Sequence, residues 1–245
     1  MFFKLQFLII FNIFLEVFCV DFPNDIHRCH IGDNNCVTNE FNRVFQNFEN
    51  GHIGLNLKSL DPLKIEKMDI VQGGDSPVNI VLNFTNVDFN GLRKAKVHSI
   101  SGFVSNPKKM EVRLKAPVLS LIGNYKINGR VLILPIAGVG KSNMTMENIE
   151  IQLRWIGKLI EKKDKKFYNI DKFRASFDTT LFIMNFSNLF NGDRALGDNM
   201  NKFLNENWKD ILNEVKPSIV TAFAKIFKNL VNNVFETFPY NELFI

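Results

Sequence analysis

Five consecutive residues, Gly138-Val139-Gly140-Lys141-Ser142, have the composition of a phosphate-binding loop. That loop needs a further glycine five positions before Gly140, and Pro135 stands there. The residues that follow alternate as a strand does, so no helix N-terminus would face a phosphate. Near the N-terminus, His27, Cys29, His30 and Cys36 are of metal-ligating type, but their spacing matches no common zinc pattern. The chain contains neither G-x-S-x-G nor H-E-x-x-H, and His27, His30, His52 and His98 are not spaced as a catalytic set. Carboxylates are plentiful without any pair standing apart from the solvated background. The reading is a non-enzyme with no catalytic residues, no cofactor and no metal. A secreted esterase with a triad assembled from distant residues is the minority alternative.

What the sequence does hold is apolar surface at regular spacing. In 199–238 the apolar residues Met200, Phe203, Leu204, Trp208, Ile211, Leu212, Val215, Ile219, Phe223, Ile226, Phe227, Leu230, Val234, Phe235 and Phe238 step by threes and fours. This puts one broad stripe on a helix of roughly 60 Å. Lys202, Asn205, Lys209, Asn213, Lys225, Lys228, Asn232 and Asn233 fall on its other face, so it does not span a bilayer. Asp198 is expected to cap the start, Pro217 to kink the middle and Pro239 to stop the end. Upstream, 40–50 reads as a short amphipathic helix with Phe41, Val44, Phe45 and Phe48 on one face. Strands alternate through 63–71, 78–87, 94–104, 109–116, 124–135, 149–155 and 173–183, with a firm turn at Gly73-Gly74-Asp75-Ser76-Pro77 and another around Gly138 and Gly140. Period-2 alternation with short turns describes an antiparallel sheet with one buried face. A long apolar helix and a one-sided sheet complement each other, and no second helix of comparable length exists to make a bundle.

The chain has 245 residues, 46% hydrophobic and 22% charged, which fits one globular domain. Its aromatics are 25 Phe against 3 Tyr and 2 Trp, so any interior has large walls with few polar tips. The first residues read as a signal peptide, 1–19: Lys4, an apolar run over 5–18, then Val17 and Cys19 as the small residues before cleavage. A membrane anchor is the rival, but the run is short for a span. Cleavage leaves Cys29 and Cys36 as an even pair in an oxidising compartment, where a disulfide competes with the metal reading and is preferred. Closing so short a loop is worth about 2.5 kcal/mol on the chain-entropy model. Asn83, Asn143 and Asn185 begin N-glycosylation sequons, the first on the solvent side of its strand, the others flanking expected loops. The net charge of +5 is scattered with few aromatics between the basic residues, which argues against nucleic acid.

The run from Gly197-Asp198 through Asn201-Lys202-Phe203-Leu204-Asn205-Glu206-Asn207-Trp208-Lys209-Asp210-Ile211, Lys216-Pro217 and Pro239-Tyr240-Asn241-Glu242-Leu243-Phe244 resembles the insect takeout proteins, relatives of the juvenile-hormone-binding proteins. So do Leu60-Asp61-Pro62-Leu63-Lys64, the stretch 124–136 followed by Gly138-x-Gly140, and Cys29 with Cys36 behind a signal peptide. The resemblance covers the whole mature chain, 20–245. It implies an α+β fold in which a long kinked C-terminal helix is wrapped by a highly curved antiparallel β-sheet, enclosing an elongated hydrophobic tunnel. It also implies a secreted carrier of a small lipophilic ligand (a terpenoid, juvenile-hormone-like molecule or fatty acid) in haemolymph or another extracellular fluid. A lipid-surface or microbial-lipid binder is the alternative. The expected partner is that ligand, with no nucleic acid and no membrane span after cleavage, and the chain is expected to be a monomer. The moth haemolymph hormone carriers typically have a second disulfide, and the absence of cysteines for one favours the takeout branch and argues against juvenile hormone itself as the ligand.

Ligand-lining candidates follow from the two apolar faces. On the sheet they are Tyr125, Ile127, Val131, Ile133, Phe177 and Leu181; on the helix, Trp208, Ile219, Phe223, Ile226 and Phe227. Tyr125 is singled out because its hydroxyl, on an otherwise apolar strand face, needs a hydrogen-bond partner that a ligand oxygen could supply.

Overall fold

Seven strands form one antiparallel sheet in the computed structural model, which describes residues 22–245. The expected signal segment, with Cys19, lies outside the described residues. In chain order the strands are β1 (Leu63–Gln72), β2 (Val78–Asn90), β3 (Lys96–Ser101), β4 (Lys109–Val131), β5 (Leu134–Lys162), β6 (Lys165–Asp178) and β7 (Leu181–Phe186). The main path runs β1-β2-β4-β5-β6, with β3 beside β4 and β7 beside β5. Burial alternates along the strands as the sequence pattern requires: Val78, Ile80, Leu82 and Phe84 of β2 point inward, as do Met110, Val112, Leu114 and Ala116 of β4.

β4 and β5 are longer than the sequence suggests, 23 and 29 residues, and they pair along almost their whole length. The turn expected at Gly138 and Gly140 is absent, because β5 runs through both. These glycines make room for close neighbours rather than for a bend. A Cβ at Gly138 would lie 2.7 Å from the Tyr125 hydroxyl and 3.0 Å from Leu189 Cα, and one at Gly140 would strike the Ser187 carbonyl. The turn falls instead at Leu132 and Ile133, with Leu132 at φ +54°. Alternation therefore stops at Val131, and Ile133, expected on the inner face, is 87% exposed. The segment 173–183 is likewise two strands. β6 ends at Asp178, Thr179 donates its hydroxyl to the Glu147 carbonyl at 2.6 Å, and β7 departs to pair with β5.

Among the described residues three α-helices accompany the sheet: α1 (Asn34–Asn47), α2 (Arg194–Glu206) and α3 (Trp208–Thr237). The sequence reads the last two as one helix from Asp198, kinked at Pro217. The start lies earlier, where the Asp193 carboxylate accepts from the Leu196 N–H at 3.0 Å, and Asp198 lies within α2. The interruption is at Asn207, whose backbone leaves helical values at φ −111°, ψ 22° and whose amide donates to the Phe203 carbonyl at 2.8 Å. Pro217 lies inside α3. Phe238 adopts the extended backbone that a following proline imposes, so Pro239 ends the helix as expected. α3 packs against β1 at one end of the sheet path and β6 at the other, touching β2 and β7 as well. Only a strongly curved sheet wrapped around the helix allows that.

Asn205, assigned by its periodicity to the solvent face, has a different use. Its side chain accepts from the Met184 N–H and donates to the Met184 carbonyl, both at 2.8 Å. Asn201 makes the same pair of bonds to Phe186, each at 2.9 Å. The two amides pair the Met184 and Phe186 backbone on the outer edge of β7, which would otherwise offer an unpaired ladder there. Asn205→Ala leaves a backbone donor and acceptor without partners, and we expect it to lower unfolding free energy by about 2 kcal/mol in a denaturant titration.

On the outer face, Glu111 accepts from Arg113 at 2.6 Å, Gln152 at 2.6 Å and Arg154 at 2.8 Å, joining β4 to β5. Burial pushes its carboxyl up, but these donors outweigh burial and hold it at about 2, below its ordinary 4.5. The folded state therefore gains from Glu111 above pH 4.5 and loses that gain as pH falls toward 2. Glu111→Gln should flatten the acid limb of a stability–pH curve over that window and leave its neutral-to-basic limb unchanged in shape.

A candidate lipid chamber between helix and sheet

Cys29 and Cys36 are joined as a disulfide. The Asp33 carboxylate accepts from the Cys36 N–H at 2.9 Å and so caps α1, which begins before the sequence suggests, at Asn34. The C-terminus clasps the same segment: Ile245 donates its N–H to the Cys29 carbonyl at 2.9 Å, and Ile31 donates to the Ile245 carbonyl at 3.2 Å. This anchoring holds α1 across one end of the curved sheet.

Beneath it lies a cavity of about 240 Å³. Phe41, Val44 and Phe45 of α1 close one side, Val112 and Leu114 of β4 and Ile151, Leu153 and Trp155 of β5 form the floor, and Phe227, Leu230, Val231 and Val234 of α3 form the far wall. Phe22 and Ile26 reach it from the N-terminal segment, and Leu243 and Phe244 from the C-terminus. A second, smaller cavity of about 50 Å³ lies further along α3, between Ile211, Val215 and Ile219 of the helix and Ile70, Ile80, Leu82, Ile127 and Val131 of the sheet.

Polar groups are few. Of the two charged-type residues on the larger wall, Glu40 is paired with Arg43 at 2.8 Å and His27 is at the N-terminal segment. The Trp155 indole N–H is buried without a hydrogen-bond partner among the described residues, while its ring stacks on Phe173 at 5.5 Å. The Tyr168 and Tyr240 hydroxyls are also buried without partners, their rings 5.9 Å apart. Burial pushes Tyr168 up to about 12 and Tyr240 higher still, so both remain neutral donors.

Tyr125, the residue expected to meet a ligand oxygen, lines neither apolar cavity; it borders a separate, open and more polar pocket of about 570 Å³ with Asn83, Lys141, Ser187 and Asn188. Its hydroxyl donates to the Ser187 carbonyl at 2.7 Å, and burial raises it to about 12. The backbone just past the end of β7 supplies what a ligand was expected to supply. The other candidates separate by place. Phe227 lines the larger cavity; Ile127, Val131 and Ile219 line the smaller. Phe223 is buried between the two. Phe177, Leu181, Trp208 and Ile226 line neither, and Ile133 is in solvent. Phe177 lies under the Lys216 ammonium at 5.3 Å, and Trp208, at the first turn of α3, lies under that of Lys209 at 5.6 Å. Among the residues missed, Ile151, Leu153 and Trp155 carry the strand alternation that marks an inner face. Phe41, Val44 and Phe45 carry a helical stripe whose partner surface no local pattern names.

Residues 7–245 match the family model described as haemolymph juvenile hormone binding protein (JHBP). The chain belongs to this family. Among JHBP relatives, the circadian clock-controlled protein daywake of Drosophila melanogaster is 29% identical over 230 residues, 91% of this chain and 88% of daywake. Its Drosophila yakuba counterpart is 26% identical over the same shares. The crystal structure of Takeout 1 from Epiphyas postvittana superimposes with a TM-score of 0.74 at 27% identity, covering 88% of this chain and 97% of Takeout 1. The C-terminal helix and curved antiparallel sheet are thus those of a takeout/JHBP protein.

Proposed function

We propose that this JHBP-family protein is a secreted, non-enzymatic carrier that holds a small lipophilic ligand in the larger chamber. The observation that carries this reading is the chamber wall itself: apolar side chains from α1, β4, β5 and α3, with the Trp155 N–H as an unspent donor. A ligand burying about 400 Å² there gains on the order of 10 kcal/mol, from which association and ordering remove several. Micromolar or tighter binding follows without any charged contact. Removal of residues 1–19 and passage to an extracellular fluid fit the disulfide and the three sequons. Asn143 and Asn185 are exposed and stand directly opposite each other on β5 and β7; Asn185 flanks the loop after β7 as the sequence suggests, whereas Asn143 lies well inside β5. Asn83 is half-buried and donates to Asp69 at 2.7 Å.

Of the two tryptophans, Trp155 is in the chamber wall and Trp208 is not. In a Trp208→Phe background, titration with an isoprenoid methyl ester should change Trp155 emission saturably. No saturable change with esters, alcohols or hydrocarbons would remove the reading. Trp155→Phe should weaken ligands that bear an acceptor oxygen by about 1 kcal/mol, roughly fivefold, and leave hydrocarbons of equal length unaffected. Displacement of N-phenyl-1-naphthylamine provides the readout in that variant.

A further inference from the structure

The two cavities lie along one helix face. Ile219 lines the smaller, Phe227 lines the larger, and Phe223, one turn from each, lines neither. Single turns advance about 6 Å along the axis, so one side chain separates the chambers on the helix side. From the sheet, Phe89 of β2 meets it: the rings of Phe89 and Phe223 are 5.3 Å apart, those of Phe223 and Phe227 5.9 Å, and those of Phe89 and Phe227 6.4 Å. All three are buried, and Phe89, like Phe223, lines neither cavity. The sequence gives no reason for a third ring here beyond core packing. The structure does, because a separate apolar cavity lies one helical turn away on each side of it.

We infer that Phe223, clamped against Phe89 and Phe227, is a stopper that divides one apolar channel into two chambers and so fixes the length of ligand this protein accepts. The inference rests on the larger chamber being the ligand site. A ligand seated there ends against Phe227, which Phe223 and Phe89 back from behind. The smaller chamber, bounded by Ile70, Leu82, Ile127, Val215 and Ile219, is a hydrocarbon-tail subsite that opens only when Phe223 is small or turns aside. The selected class is a lipophile with an apolar tail that stops short of the rings, and a longer unbranched tail is disfavoured because it must displace a packed aromatic side chain.

The test is a homologous series of straight-chain methyl esters displacing N-phenyl-1-naphthylamine from wild type, Phe223→Ala and Phe223→Leu, the last retaining an aliphatic core if the alanine variant does not fold. Wild-type affinity should rise with chain length and then stop rising. In the variants that limit should move to longer chains, with the longest ester bound about tenfold more tightly than by wild type, which about 55 Å² of newly buried apolar surface supplies. Short esters should bind all three proteins alike. Adding Ile219→Trp to Phe223→Leu should return the limit to its wild-type position by filling the smaller chamber. An unchanged limit in the folded variants overturns the stopper while leaving the carrier reading intact. Failure of every ester to bind wild type removes the carrier reading itself.

Discussion

Phe223→Asp should unfold most of the protein at neutral pH, whereas Ile226→Asp, only three residues away, should not. The Phe223 ring is 9% exposed and its nearest rings are Phe89 and Phe227, so a carboxylate there meets no donor. Losing a buried Phe costs about 3–5 kcal/mol through lost contacts and the void left behind. The unpaired charge adds several more. Domains of this kind are stable by about 5–15 kcal/mol in total, so the sum consumes most of that margin. Ile226 is half-buried at the edge of the same stripe, where a carboxylate can reach water. Far-ultraviolet circular dichroism during urea titration separates the cases. Wild-type stability in Phe223→Asp would mean that the α3 stripe does not face the sheet.

Leu114→Trp should abolish binding while leaving the fold in place. Leu114 points from β4 into the larger chamber, opposite Ile151. An indole there would occupy space the ligand needs. Overpacking a filled core costs about 1–3 kcal/mol, but this side chain grows into a void and recovers dispersion contacts with α1 and α3. The thermal midpoint should therefore move by no more than a few degrees, while affinity for an isoprenoid ester falls about 100-fold or more. Equal loss of stability and affinity would make Leu114 a packing residue. Unchanged affinity would put the ligand elsewhere.

These two results concern different levels of the molecule. Sequence periodicity by itself determined the elements and their apolar faces: the stripe on α3, the inward alternation of Ile80, Leu82 and Phe84, and that of Ile151, Leu153 and Trp155. It did so because one-sided burial imposes a period of 2 on strands and 3.6 on helices, whatever lies opposite. It also determined the Cys29–Cys36 pairing once Cys19 was set aside, and the motifs at 197–211 and 239–244 placed the chain in its family. Three things it could not decide, because each depends on what is brought close from far along the chain. Gly138 and Gly140 look like a turn until Tyr125, Ser187 and Leu189 are packed against them. Tyr125 looks like a ligand contact until Ser187, 62 residues away, takes its hydroxyl. Asn205 looks solvated until it meets the edge of β7. The division of the apolar interior belongs to the same class. A stripe of Ile219, Phe223 and Phe227 is uniform in sequence, and only the approach of Phe89 from another element makes the middle ring a barrier and leaves space on either side of it.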